Sequence, residues 1–315
     1  MFNFPPKDGS LLQASSDENA LVLHDNLEDF RALCWALYAL PMELHEQDDY
    51  KTADLTKLIR LVSISNKYHF ITLEKWAIDR ITKHCSNITS NHFLHSCSQE
   101  LFETMLSLAV TCHAYPLRKD IETAWLQRLK NDSSMLSEAL NVASRLGLRE
   151  FQGVAYYQQL VAVNSSASQS GIVSVPPKIK LTDAQMICLF TGSWSLTRHW
   201  NKIVPRNPPI LERASDCNIN SHSSCIHQWT QAWKHITENW GSSNSSQVFD
   251  PLEMLQTAKI SCNARLGGNN QGNIFGLFEI ITPSCRTLAV NKFGLLHQDI
   301  KDSLAEHFLG PKDVE

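Results

Sequence analysis

Basic clusters are missing from this sequence. The formal net charge is -4 and the pI lies near 6.3, whereas a surface built to neutralise phosphates gathers Lys and Arg on one face. The first segment leans the other way: Asp17, Glu18, Asp25, Glu28, Asp29, Glu43, Glu46, Asp48, Asp49 and Asp54 stand against Lys7, Arg31 and Lys51. Nucleic acid is not an expected partner. Also missing is any apolar run of the roughly 20 residues that spans a bilayer. The opening Met1-Phe2-Asn3-Phe4-Pro5-Pro6 has neither the basic end nor the apolar stretch of a secretory signal. The expectation is an intracellular chain, cytoplasmic or nuclear, with no membrane partner. A paired cysteine framework is absent as well. The 9 cysteines, Cys34, Cys85, Cys97, Cys112, Cys188, Cys217, Cys225, Cys262 and Cys285, mostly sit inside apolar helical stripes. That is how small buried hydrophobes are used in a reducing compartment.

Catalytic signatures are lacking too. None of the 13 histidines falls in a His-Glu-x-x-His helix, and Ser193 in Thr191-Gly192-Ser193-Trp194-Ser195 is not in the Gly-x-Ser-x-Gly elbow of hydrolases. Gly267-Gly268-Asn269-Asn270-Gln271-Gly272 lacks the Lys-Ser/Thr that would reach phosphates and magnesium. The expectation is no enzyme, no catalytic residue and no cofactor of known motif.

What the chain does have is helical periodicity. A strand-like run Leu21-Val22-Leu23 precedes Leu27, Phe30, Leu33, Leu37 and Tyr38, spaced along one side of a helix. Asp25 and Glu28 have capping-box chemistry, and Pro41 stops the helix. A second stripe runs through Leu55, Leu58, Ile59 and Val62, and Tyr68-His69-Phe70 leads to a third helix with Leu73, Trp76, Ala77 and Ile81. Further helices are expected over Leu101 to Cys112, Leu117 to Leu129, Met135 to Leu146 and Arg149 to Val163. Their breaks carry stop and start chemistry in Tyr115-Pro116, Asp132-Ser133-Ser134 and Gly147. A polar connection from Asn164 to Pro177 cannot support a packed helix. Beyond it come a helix from Leu181 to Ile203, capped by Thr182 with Ile187, Phe190, Trp194 and Leu196 for burial, and helices around Cys225 to Trp240 and Pro251 to Cys262. Asn263 to Asn273 reads as a loop and Ile274 to Ile281 as a short strand. For Trp35, Trp76, Trp125, Trp194 and Trp229 core packing is the expectation.

Several phrases carry a resemblance to a family: Asp17-Glu18-Asn19 leading to Leu23-His24-Asp25, Glu28-Asp29-Phe30-Arg31-Ala32-Leu33, Trp35-Ala36-Leu37-Tyr38-Ala39-Leu40-Pro41, Asn66-Lys67-Tyr68-His69-Phe70, Glu74-Lys75-Trp76-Ala77, and Leu148 through Tyr157. They resemble the BTB/POZ domain-containing proteins of mushroom-forming fungi. The resemblance implies a mostly α chain: a partial BTB/POZ domain over 1-86, a BACK-like helical extension over 87-163, a linker over 164-180, and a C-terminal helical region with loops over 181-315. The strand hairpin and two helices that open such a domain, and build its dimer, find no counterpart here. Either the chain begins at an internal methionine or the form has diverged. The implied function is a non-enzymatic protein-protein interaction module that binds other proteins, a BTB-containing partner or itself. The alternative it allows is a substrate adaptor that binds the cullin scaffold of a ubiquitin ligase. Apolar side chains left uncovered by the missing layer, Leu33, Leu37, Leu58 and Tyr68, are the expected interaction residues.

One cluster stands apart from this reading. Cys217, His222, Cys225 and His227 put soft donors within one short stretch, the donors that zinc takes tetrahedrally. The spacing matches no finger pattern, and Cys225 and His227 diverge if a helix has already begun. The bland alternative is a packed Cys225 with solvent-facing histidines.

Overall fold

The structure is a computed structural model that describes residues 24–49, 51–86, 92–170, 180–203, 208–238, 249–263 and 281–312. The expected strand-like run at Leu21–Leu23, the Gly- and Asn-rich loop and most of the strand at Ile274–Ile281 lie outside them. Among the described residues the secondary structure is helical throughout, as the periodicity predicts. The chain divides into two compact units, Met1–Ile121 and Glu122–Glu315. The extension expected over 87–163 is therefore shared between them.

The first unit is organised around α3 (Leu55–Lys67), which packs against α1 (Leu27–Tyr38) and α4 (Ile71–Ser86). Leu58, Ile59, Leu61, Val62 and Ile64 are all buried on α3, and Leu33 of α1 joins them. Leu33 and Leu58, expected at an interaction surface, are 1% and 0% exposed. The helices of this unit cover one another, and the apolar stripe is spent internally. Tyr68 is half-buried and donates its hydroxyl to Asp25, which also pairs with Lys67. Asp25 therefore does not cap α1. Asn26 does, accepting the Glu28 amide at 2.8 Å, and the Lys67 and Tyr68 donors hold the Asp25 carboxyl below its ordinary range. Of the four expected interaction residues Leu37 alone is exposed. It adjoins Tyr38, Leu40 and Met42, also exposed, where Pro41 opens the short α2 (Pro41–His45). The unit continues through α5 (His92–Ser96) and α6 (Gln99–Thr111). Pro116 stands in the first turn of α7 (Tyr115–Asn131), where a missing amide costs nothing.

In the second unit, α8 (Leu136–Arg145) ends before Gly147, whose φ of 69° is the left-handed conformation that favours glycine. Asp132 accepts the Ser134 amide at 3.0 Å, as its capping position predicts. The next helix, α9 (Arg149–Ser170), runs past the expected break at Asn164. A helix already nucleated extends one bond per residue, and Ser165 Oγ donates to the Val161 carbonyl at 2.8 Å. Thr182 and Gln185 form the reciprocal cap of α10 (Asp183–Ile203), at 3.0 and 3.3 Å. Gln185 Nε2 also donates to the Ser137 carbonyl and to Asn141 Oδ1, joining α10 to α8.

The hub is α13 (Pro283–Leu309), against which α9, α10 and α12 (Pro251–Asn263) all pack. Phe293 on α13 sits in an aromatic cluster with Trp229 and Trp233 of α11 (Ile219–Glu238), at centroid distances of 5.1 and 5.8 Å. Trp229 Nε1 donates to the Pro209 carbonyl at 2.7 Å. Trp125 and Trp229 meet the expectation of core packing, but Trp194 is 65% exposed, with Ile187 and Phe190 also at the surface. The side of α10 that meets its neighbours carries Leu189, Gly192, Leu196 and Trp200 instead. Gly192 admits the ring of Phe308 there.

Helices α10 and α13 also meet through His199 and His307, whose rings lie 5.0 Å apart, with Ser195 Oγ 2.9 Å from His307 Nδ1. Burial, and His199 beside it, hold His307 below the ordinary imidazole value. With the folded value depressed, the neutral ring contributes stability that is present above the ordinary value. That contribution is lost as pH falls through it toward the folded value. Acidification from about pH 7 to about pH 5 is expected to lower the melting temperature of the native chain more than that of His307→Gln. Equal losses in the two would remove His307 from the account.

Candidate metal centre

Three stretches of the second unit converge on one point. The segment leading into α11 brings Cys217, the first turns of α11 bring His222 and Cys225, and the first turn of α13 brings Cys285. The four donor atoms all lie within 4.8 Å of one another, with the three cysteines buried and His222 half-buried. His222 Nδ1 and Cys285 Sγ are 3.6 Å apart across 63 positions of sequence. A tetrahedral zinc with ordinary Zn–S and Zn–N bonds has an S···N edge of about 3.6 Å. That edge of the coordination figure is already set.

Local chemistry explains why the donors point inward. Asn218 caps α11: its Oδ1 accepts the Asn220 amide at 3.2 Å and its carbonyl the His222 amide at 2.8 Å. Residues three apart on a helix share a face, so His222 and Cys225 project together. Before the cap, the Cys217 amide donates to the Ala214 carbonyl at 3.0 Å and Arg213 Nη1 to the Cys217 carbonyl at 3.0 Å. Pro283 fits the first turn of α13, where its missing amide costs nothing. The Thr282 amide donates to Cys225 Sγ at 3.4 Å, and Ser284 Oγ donates to Asp216 Oδ2 at 2.5 Å, joining the two sides.

Cys285 behaves unlike the other buried cysteines. Burial pushes Cys85 and Cys262 up to about 12. Burial opposes a thiolate at Cys285 as well. There, however, the Thr282 hydroxyl, the Ala214 amide, His222 and Cys217 outweigh it and bring the thiol down to about 7. Cys217 moves the other way: Thr282 favours its thiolate, but burial and the neighbouring Cys285 and Cys225 thiols raise it. Crowded sulfurs cannot all ionise without a cation between them, and a dication removes that conflict.

Of the residues expected from the sequence, Cys217, His222 and Cys225 come together and His227 does not. Because α11 begins at Ile219, Cys225 and His227 point apart. His227 is exposed, with its Nε2 2.9 Å from Gln231 Nε2. The fourth donor, Cys285, is one the sequence did not single out. Its only local signal is a cysteine in a turn opened by proline, and its meeting with Cys225 depends on α13 packing beside α11. Three thiol sulfurs and one imidazole nitrogen form a soft, closed donor set suited to zinc. With no position left for water, it has the make-up of structural rather than catalytic sites. No family model, curated protein or solved structure matches this chain, and the chemistry of the centre is carried by its own side chains.

Proposed function

We propose that the chain is a non-catalytic, protein-binding helical scaffold whose second unit is closed by a structural zinc ion on Cys217, His222, Cys225 and Cys285. The observation that carries this reading is the convergence of those four donors within 4.8 Å. When bound, the metal supplies a cross-link among the segment before α11, α11 itself and α13, in place of a disulfide. The residues supply the rest: a capped helix that aims two donors, a proline-started helix that presents the third, and an Arg213-anchored turn that delivers the fourth. The BTB/POZ-like phrases support the binding part of the proposal. So does the exposed turn of Leu37, Tyr38, Leu40 and Met42, where a protein partner's apolar side chains would dock. A cullin scaffold or another BTB-containing chain is the partner that resemblance suggests.

Metal content decides the zinc part. Protein purified under reducing conditions without added metal is expected to carry close to one zinc per chain by emission spectroscopy. A chain that holds no zinc, and takes up none on titration, overturns it.

A further inference from the structure

The exposed side of α10 is organised, and it has a partner-shaped pattern. Asp183, Ile187, Phe190, Trp194, Thr197 and Asn201 are all exposed and recur at alternating spacings of four and three along one face. This is the repeat by which one helix seats its side chains in the surface of another. The opposite face, Gln185, Leu189, Gly192, Leu196 and Trp200, is the one buried within the unit. Ile187, Phe190 and Trp194 are 62%, 48% and 65% exposed. Helix α10 thus has two faces, of which one is left uncovered by the described residues.

The spacing of that face, four-three-four-three-four, is symmetric about its middle, with different residues in its two halves. Laid antiparallel on a second copy, Phe190 of each helix meets Trp194 of the other, and Ile187 meets the methyl of Thr197. Asp183 comes beside Asn201 and Lys202, with Arg198 one turn nearer the centre. Arg198 already lies over the Trp194 ring at 5.3 Å, so its stem covers apolar surface while its charge stays at the rim. The parallel arrangement brings Asp183 against Asp183 and Lys202 against Lys202, which repel. Charge complementarity therefore selects both the occupant and its direction.

We infer that α10 is a self-association helix, pairing with α10 of a second copy about a two-fold axis. This inference goes beyond the zinc reading and does not depend on it, but it rests on the reading of the chain as a protein-binding scaffold, for which it names one partner. A two-fold interface uses one self-complementary patch twice, and this patch supplies both sides of each contact, Phe190 with Trp194 and Asp183 with Lys202. Three large apolar side chains per copy bury less than the roughly 800 Å² per partner of a standard interface. The pairing is a reversible one, visible in the micromolar range at about room temperature.

Sedimentation velocity of the whole, zinc-loaded chain over about a hundredfold range of concentration tests this. The native chain is expected to shift from monomer to dimer. Phe190→Glu with Trp194→Glu is expected to weaken association by at least about a hundredfold, with the helical circular dichroism and melting temperature kept. Asp183→Lys is expected to weaken it by several fold, and adding Lys202→Asp to restore it. A chain that stays monomeric throughout, or a dimer indifferent to the Phe190 and Trp194 substitutions, overturns the inference. Failure of the charge exchange to restore pairing overturns the antiparallel arrangement. Zinc content measured on the same samples keeps the outcomes separate, since a zinc-loaded monomer defeats the pairing and leaves the metal centre standing. Capture of a different protein through the Leu37 to Met42 turn by such a monomer would leave the scaffold reading standing as well.

Discussion

Cys285→Ser is expected to release zinc from the purified chain and to lower the unfolding temperature of the second unit by about 10 °C or more, while His227→Ala changes neither. The two substitutions separate the structure from the sequence motif, because Cys285 lies far from the Cys217–His227 cluster and His227 lies inside it. A structural zinc site contributes its binding free energy to folding. The apparent value is about 10–16 kcal/mol in zinc-finger peptides, and it falls steeply when a thiolate is lost. Here the loss acts on α13, the helix that α9, α10 and α12 share. Thr282, Ser284 and Cys285 at its start all bond to the α11 side of the centre. Once the clasp opens, the first turn of α13 loses its sulfur ties to the α11 side. The neighbouring Trp229, Trp233 and Phe293 cluster should loosen with it, and tryptophan emission reports this directly. Cys225→Ser should match Cys285→Ser, and a chelator applied to the native chain should reproduce both. Zinc retained at full stoichiometry in Cys285→Ser would falsify the four-donor assignment.

Much of the helical framework was legible because its signals are local. Thr182 before α10, Asp132 before Ser134, and Gly147 after α8 each act within four residues, and the structure places each as the sequence implies. Errors arose where two signals compete at one site. Asp25 has the chemistry of a cap, but Lys67 and Tyr68, distant in sequence, take its carboxylate, and Asn26 caps instead. On α10 both faces carry helical spacing. The larger side chains, Ile187, Phe190 and Trp194, look like the core, while the packed face hides behind Gly192, which periodicity discounts. Leu33 and Leu58 belong to a stripe whose burial depends on α1, α3 and α4 covering each other, a fact about packing rather than pattern. The metal centre divides the same way. Three donors share one capped helix start and could be read together. Cys285 could not, because only α13 packing across 63 positions brings it in.

Gly153→Ala is expected to destabilise the second unit by about 1–3 kcal/mol or more, and Gly294→Ala to stabilise it by up to about 1 kcal/mol. The chemical change is identical, and both glycines sit inside long helices, Gly153 in α9 and Gly294 in α13. In either helix alanine removes the entropic penalty of glycine. Space decides the sign. A Cβ on Gly153 would lie 2.6 Å from the Ala305 nitrogen and 2.8 Å from its Cα, both main chain of α13. Main chain cannot turn aside as a side-chain tip can, so α9 and α13 must part along a contact flanked by the buried Tyr156, Ile300 and Leu304. At Gly294 the nearest atom is Lys259 Nζ at 3.9 Å, ordinary contact with the end of a flexible side chain. Gly192→Ala should fall with Gly153→Ala. Its Cβ would meet Phe308 Cδ1 at 2.0 Å, and that ring is buried and stacked on Tyr156 at 5.6 Å. Chemical denaturation of the zinc-saturated variants measures all three, with metal held constant so that binding does not shift the apparent stability. If Gly153→Ala stabilised the chain as Gly294→Ala is expected to, the close crossing of α9 on α13 would not exist as described. The hub arrangement of the second unit would then have to be redrawn.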